Sequence, residues 1–154
     1  MTGPPVDRGV LFWRLAFRAG YRVIRLLDPL IRREWRSGSG GLGRVVELDV
    51  AGRRTGRARP IIVTGLTVDG RDYVGHPNGD AGWTRNVEAA GLLRVVSTDG
   101  SARQVRAIRL PSGPERESVI RATWSQQPFP ANHLYSAARD HVRRVGVYFR
   151  LEPV

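Results

Sequence analysis

The stretch Gly52-Arg53-Arg54-Thr55-Gly56-Arg57-Ala58-Arg59-Pro60 lies between two segments with the pattern of β-strands. Residues 45–50 alternate between apolar and polar or outward positions, which is typical of a half-buried strand. Residues 60–68 form an apolar run that ends at Asp69-Gly70, a hairpin signal, and residues 71–76 return. The sequence therefore predicts a tight, basic turn between two antiparallel strands.

This turn has the composition of an anion site. Two glycines bracket it, so that backbone N–H groups can point towards one ligand. Its arginines add charge-assisted hydrogen bonds, which fit a phosphate group well. A solvated hairpin turn with no ligand explains the same composition, and the two interpretations stay open on spacing alone.

A second segment, His76 to Asn86, joins a glycine-rich loop to the predicted start of a helix at 81–90. The amino end of a helix favours anions because its backbone N–H groups and dipole point outward. Trp83 lies early in this helix and is either a wall of a binding site or a core residue.

The remaining segments complete an α+β chain. We predict two more strands at 92–97 and 102–110 around the Thr98–Ser101 hairpin, helices at 113–127 and 131–142, and a last strand over 145–151. About six mostly antiparallel strands with peripheral helices indicate a β-barrel rather than a parallel sheet.

The amino-terminal part is helical. Residues 10–27 carry an arginine stripe at positions 14, 18, 22 and 25 on a largely apolar helix, and a second helix is expected from Asp28-Pro29 to about Arg36. Such a helix either lies on an anionic membrane surface or packs on the barrel with its arginines in water. We divide the chain into a helical segment at 1–36, a linker at 37–43 and a barrel domain at 44–154.

The linker matches G-x-G-x-x-G from Gly38 to Gly43, but it follows a helix and precedes a strand. A dinucleotide-binding fingerprint follows a strand and opens a helix. This motif is therefore not expected to bind a dinucleotide.

Composition narrows the function classes. The 154 residues include 25 basic residues, all arginine, against 14 acidic ones, a net charge of +11, and no cysteine. Disulfides, thiolate metal sites and cysteine nucleophiles are excluded, and no metal site is expected from the histidine spacing. The excess positive charge indicates either an anionic partner or a role in solubility.

Together, the arginine turn and the downstream G-W-T-R-N segment resemble the deazaflavin-dependent nitroreductase family, which has a split β-barrel fold and binds coenzyme F-420. The resemblance spans roughly residues 44–110. It implies that the residues binding the cofactor are Arg53, Arg54, Thr55, Gly56, Arg57, Arg59, Asn78, Gly79, Trp83 and Asn86.

The resemblance also implies an oxidoreductase that passes a hydride from reduced F-420 to a quinone or nitro-type acceptor. Thr64 stands where well-known members place an aromatic residue near the substrate, and Tyr135 is the matching candidate in the carboxyl-terminal helices. Tyr135 and His133 are the candidate catalytic groups, as sources of a proton.

Other possibilities stay open at this point. FMN is the alternative cofactor, and a non-catalytic barrel that binds flavin, haem or lipid is the alternative function. A nucleic-acid binder is less favoured because the basic turn has no aromatic residue for base stacking. We expect a cytoplasmic protein with a small-molecule electron acceptor, a possible homodimer, and a peripheral position on the inner face of the membrane.

Overall fold

A computed structural model describes residues 7–37, 44–127 and 129–154. Its centre is a closed barrel in which every neighbouring pair of strands is antiparallel, in the order β1-β2-β3-β6-β5-β4. The strands are β1 (Val45–Ala51), β2 (Ala58–Val68), β3 (Arg71–His76), β4 (Leu92–Val96), β5 (Ala102–Arg109) and β6 (Val147–Pro153). The predicted barrel is confirmed.

Side-chain alternation divides the barrel wall into two faces. On β6, Val147, Phe149 and Leu151 point into the barrel interior, whereas Tyr148 points outward. On β3, Val74 points inward and Tyr73 outward in the same way. The inward residues form the first core, and the outward ones need a second layer to cover them.

The helices supply that second layer. Phe17 of the first helix packs with residues of the last three helices and with the outward side chains of the barrel. Asp7 caps the first helix, because its carboxylate accepts from the Gly9 N–H at 3.0 Å. The helices are α1 (Arg8–Leu26), α2 (Asp28–Ser37), α3 (Gly82–Ala90), α4 (Pro114–Ser125), α5 (Ala131–Ala137) and α6 (Arg139–Val145).

The third helix, α3, packs against the inner core of the barrel instead. Val87 is fully buried in the inner core, and Trp83 packs against the same cluster. Gly91 ends the helix with a φ of 67°, a conformation that glycine adopts without strain.

Most predicted boundaries differ from the structure by a few residues, as for the last strand, which is Val147–Pro153 rather than 145–151, and one predicted helix is divided. The single helix expected over 131–142 is two helices, since the chain leaves helical geometry at Ala138, which is 1% exposed within the outer core. Packing there outweighs the helical propensity of the local sequence. The helix α2 extends through Ser37, the first residue of the predicted linker. The rest of that linker, with its G-x-G-x-x-G motif, lies outside the described residues.

Candidate functional site

The candidate site is a cavity between the outer wall of the barrel and the helical layer. It has a volume of about 590 Å³, which is within the usual range for a site that binds a small organic ligand. Its lining comprises Tyr21, Ile24, Ile31, Val45, Ile62, Val63, Thr64, Leu66, Gly75, His76, Pro77, Trp83, Thr123, Gln127, Tyr135 and Tyr148. Most of these side chains are apolar or aromatic, so the cavity suits a largely apolar ring system.

Aromatic rings form one side of the cavity. The Tyr21 ring of α1 stacks on the His76 ring at a centroid distance of 4.9 Å. The His76 ring meets Trp83 edge-on at 6.2 Å, so the three rings continue from the helical layer to α3. These rings give the cavity an aromatic side against which a planar ligand can pack.

Three phenol groups belong to the polar part of the lining, those of Tyr21, Tyr135 and Tyr148. The hydroxyls of Tyr148 and Thr123 lie 2.8 Å apart in a buried hydrogen bond. Burial raises the pKa of Tyr21, Tyr135 and Tyr148, because a phenolate loses its hydration inside the protein. All three groups are therefore neutral at physiological pH and able to donate a hydrogen bond.

The position of Tyr148 depends on Gly75. A Cβ atom at residue 75 would lie 2.2 Å from Cδ1 of the Tyr148 ring, far inside van der Waals contact. The two residues are also cross-strand partners of β3 and β6. Glycine is required here so that the ring can lie flat across the strand and form the cavity floor.

The arginine turn, residues 53–59, adjoins the cavity at the start of α3, and its last two residues, Ala58 and Arg59, are already the first residues of β2. Nη1 of Arg53 donates to the Gly82 carbonyl at 3.2 Å and to Oδ1 of Asn86 at 3.1 Å. The backbone N–H of Arg53 donates to the same Asn86 oxygen at 3.3 Å. Since Trp83 follows Gly82 and lines the cavity, Arg53 fixes the turn beside the cavity wall.

The other arginines of the turn are exposed. Within the part of the chain that the structure describes, the guanidinium groups of Arg54, Arg57 and Arg59 have no hydrogen-bond or ion-pair partner. By contrast, Arg150 at the other side of the barrel binds both oxygens of Glu115 at 2.9 Å. Three uncompensated cations on one short turn form a local positive surface that favours an anion.

The loop after β3 is held by two histidines. The Nδ1–H of His76 donates to the Gly79 carbonyl at 2.8 Å, and the Nε2–H of His141 donates to Oδ1 of Asn78 at 2.8 Å. Burial lowers the pKa of both histidines, because it disfavours the charged imidazolium. Gly79 has a φ of 90°, which the loop needs for its turn.

The structure brings most of the predicted residues to one region. Thr64, Trp83 and Tyr135 line the cavity. The turn that carries Arg53, Arg54, Thr55, Gly56, Arg57 and Arg59 meets α3 at Asn86. Asn78 and Gly79 lie in the loop that positions His76 rather than in the lining.

His133 lies apart from that region. It is exposed, contacts the Phe129 ring edge-on at 5.6 Å and is outside the cavity lining. The geometry therefore favours Tyr135 over His133 as a group that can contact a ligand.

Most lining residues are absent from the sequence-based site, and three of them carry rings that shape the cavity. Tyr21 comes from α1, His76 from the end of β3 and Tyr148 from β6. The sequence feature that could have indicated His76 is its position between Gly75 and Pro77 at the end of a strand. Nothing local marks Tyr21 or Tyr148, because the barrel and the helices bring them together only in three dimensions.

Among residues 7–37, 44–127 and 129–154, we find no group of three or more His, Cys, Asp or Glu side chains that could hold a metal ion.

Comparison with known proteins supports the fold. No protein-family model matches the sequence, and no curated protein matches it. Among solved structures, an F420-H2 dependent reductase, FDR-A, is 19% identical, with a TM-score of 0.53 over 70% of this chain and 93% of its own. A domain-swapped dimer is 18% identical, with a TM-score of 0.56 over 87% and 99% of the two chains. The hypothetical protein Rv2991 from Mycobacterium tuberculosis is 15% identical, with a TM-score of 0.52 over 70% and 71%. These likenesses confirm the split-barrel fold.

Proposed function

We propose that this protein is a deazaflavin-dependent oxidoreductase, on the fold that it shares with the F420-H2 dependent reductase. The observation that carries the proposal is the junction between the arginine turn and the aromatic cavity at Arg53, Gly82 and Trp83. A deazaflavin cofactor has a planar ring and an anionic, phosphorylated tail, and this junction offers a surface for each part.

The residues present fit such a ligand. Arg54, Arg57 and Arg59 are free to bind phosphate oxygens, because no acid neutralises them in the described part of the chain. The cavity of about 590 Å³ accepts a ring system beside Trp83 and the stacked pair Tyr21 and His76. When bound, the reduced deazaflavin supplies a hydride to an acceptor such as a quinone or a nitro compound.

The protein's own part is to bind, orient and protonate. Tyr135 lies in the cavity wall, and its raised pKa keeps the phenol protonated at neutral pH. The phenol can therefore donate a hydrogen bond to an acceptor oxygen and deliver the proton that must accompany a hydride. Thr64, whose hydroxyl donates to Oε1 of Gln127 at 3.4 Å, lies on the same wall and contributes to acceptor selection.

FMN is the alternative cofactor, because it also joins a planar ring to a phosphate group. A barrel that binds flavin, haem or lipid without redox turnover is the alternative function, favoured by the apolar character of the lining. A homodimer is also part of the proposal, since one structural neighbour is a domain-swapped dimer, and sedimentation equilibrium would measure it.

Parallel fluorescence titrations of the purified protein with F-420 and with FMN test the cofactor. We expect saturable binding of F-420 that weakens as salt rises, because the arginine turn binds an anion. Reduction of menadione by the protein and reduced F-420 then separates an enzyme from a binding protein. No binding of F-420 alongside tight binding of FMN would contradict the proposed cofactor, and F-420 binding without turnover would contradict the proposed activity.

A further inference from the structure

Helix α1 is apolar on two opposite sides. At about 100° per residue, Trp13, Phe17 and Tyr21 form one side, and they pack in the outer core. The opposite side continues onto α2, and we call it the outer apolar face. It consists of Phe12, Leu15, Val23, Leu26, Leu27 and Leu30.

The outer apolar face is open to solvent in the structure. Leu26 is 81% exposed, Phe12 63%, Leu30 62% and Leu15 55%. Large side chains that are exposed singly are common on protein surfaces, but a contiguous set along one helix marks an interaction site. The packed side agrees with the predicted contact between this helix and the barrel, and the opposite side is exposed among the described residues.

Arginines follow one edge of this face. Arg14, Arg18, Arg22 and Arg25 are all exposed, and α1 itself contains no acidic residue. Among the described residues, none of these four guanidinium groups forms an ion pair, whereas Asp7 and Asp28 at the helix ends bind Arg144 and Arg32. The edge therefore keeps its full positive charge.

We infer that the outer apolar face docks on an anionic lipid bilayer, with α1 lying in the plane of the interface. An apolar strip flanked by arginines matches the boundary between acyl chains and negative headgroups. A second copy of the chain fits this face less well, because pairing α1 with itself would bring two arginine edges together. No helix in the described ranges is long and apolar enough to cross a membrane.

The docked orientation also points to a route for the acceptor, a step that rests on the proposed function. Ile24 lines the cavity and is 50% exposed beside Val23, and Ile31 of α2 lines the cavity next to Leu27 and Leu30. The cavity thus meets the solvent at Ile24, on the packed side of α1 and close to the junction with α2, where Leu27 and Leu30 of the outer apolar face lie. A lipid-dissolved acceptor can enter between α1 and α2 directly from the bilayer, without crossing water.

Sedimentation with vesicles tests the docking without any cofactor. The probes are vesicles of phosphatidylcholine alone and of phosphatidylcholine with phosphatidylglycerol, each at low and high salt. We expect binding to the anionic vesicles that falls with salt and little binding to the neutral ones. The double variant Arg18→Gln/Arg22→Gln should bind roughly twenty-five-fold more weakly, at about a fivefold loss for each arginine near the surface.

Matched control variants separate the effect of the outer apolar face and its arginines from the effect of any other exposed arginine or leucine. Arg106→Gln/Arg139→Gln removes the same charge from exposed positions elsewhere and should bind like the parent protein. Leu26→Ser should weaken binding roughly tenfold, whereas Leu92→Ser, which alters a 42% exposed leucine on the barrel, should not.

Three outcomes would overturn the docking inference: equal binding to both vesicle types, equal losses in the two double variants, or a soluble dimer that Leu26→Ser dissociates. The last outcome would assign the face to a second copy of the chain. Binding of F-420 in solution, measured without vesicles, tests the proposed function separately, so failure of one leaves the other standing.

Discussion

The shape of the cavity depends on single residues, and Gly75 is the clearest example. The Tyr148 ring occupies the space where a Cβ atom at position 75 would lie. The side chain of Tyr148 is 1% exposed and hydrogen-bonded to Thr123, so it cannot move aside without breaking that bond. The floor of the cavity therefore depends on the smallest amino acid facing one of the largest.

Replacement of Gly75 by alanine should lower the free energy of unfolding by about 1–3 kcal/mol, the usual effect of forcing a methyl group into a packed core. Gly20→Ala is the matched control, because a Cβ atom at position 20 meets nothing within 4 Å. That control should be stabilised by about 0.5–1 kcal/mol, since alanine favours the helix more than glycine. Urea denaturation measures both, and equal stability of the two variants would show that Tyr148 yields easily.

The arginine turn gives a second test at this scale. Arg54→Ala should weaken F-420 binding by about one to two decades, because a lost charge-assisted hydrogen bond costs roughly 1.5–3 kcal/mol. Arg59→Ala should act similarly, and both variants should fold normally since both side chains are exposed. Arg106→Ala removes an exposed arginine from β5 and serves as the control in the same fluorescence titration. Unchanged affinity in both turn variants would rule out the turn as the phosphate site.

At the scale of elements, α3 links the arginine turn to the barrel interior. The side chain of Asn86, on this helix, accepts two hydrogen bonds from Arg53, one from the backbone N–H and one from the guanidinium group. One turn earlier, Trp83 reaches the cavity while packing on the inner core. The helix therefore sets the position of the basic turn relative to the aromatic wall.

Loss of the hydrogen bonds between Arg53 and Asn86 should lower the affinity for the ligand more than the free energy of unfolding. Asn86→Ala removes the acceptor for Arg53, and we expect F-420 affinity to fall about threefold to tenfold, as for the loss of a hydrogen bond worth about 0.5–1.5 kcal/mol. Asn132→Ala, which removes another asparagine that accepts from a backbone N–H, is the control. A loss of affinity in Asn132→Ala as large as in Asn86→Ala would argue against a positioning role.

Trp83 can be tested independently of the turn. Trp83→Phe keeps an aromatic ring against the inner core, so the melting temperature should change little. The smaller ring covers less of a ligand, and we expect weaker F-420 binding or slower turnover. A crystal structure of the complex with Trp83 distant from both ring and tail of the ligand would refute its role.

For the whole molecule, stability depends on the contact between the barrel and the helical layer. His76 and His141 lie at this contact: His76 stacks on Tyr21, and His141 stacks on Phe17 at 5.7 Å and is 3% exposed. Both rings have a pKa lowered mainly by burial, so both are neutral in the folded protein near neutral pH. Unfolding returns them to water, where a histidine binds a proton at about pH 6.5.

Acid should therefore destabilise the fold. Below about pH 6.5 the histidines of the unfolded chain bind protons, whereas the two buried histidines of the folded protein stay neutral. Their contribution to the free energy of unfolding is therefore present above that pH and is lost as the pH falls towards the lowered pKa values. We expect the melting temperature to fall between pH 7.5 and 5, and to fall less in His141→Gln. His133→Gln, which removes an exposed imidazole, is the matched control. A melting temperature that falls equally in all three proteins would assign the effect to other groups.

Local chemistry explains how much of this molecule the sequence could predict. The hairpin at Asp69-Gly70 was predictable, because both residues adopt positive φ angles, 49° and 73°, that the Asp-Gly pair favours. The arginine turn and Trp83 were likewise marked by neighbouring glycines. The barrel closure between β1 and β4, and between β3 and β6, joins strands that are distant in the chain, and no local pattern records those partners. Tyr21 and Tyr148 were missed for the same reason.

The position of α1 in the outer core has a consequence for protein synthesis. Phe17 belongs to the same core cluster as Val119, Ile120 and Val142, all of which leave the ribosome long after α1 does. During translation, both apolar sides of α1 are therefore without a partner at once, and a nascent segment of this kind is prone to aggregation. Slow elongation or a scarcity of chaperones should accordingly lower the yield of this protein more than that of a barrel whose covering helix is translated last.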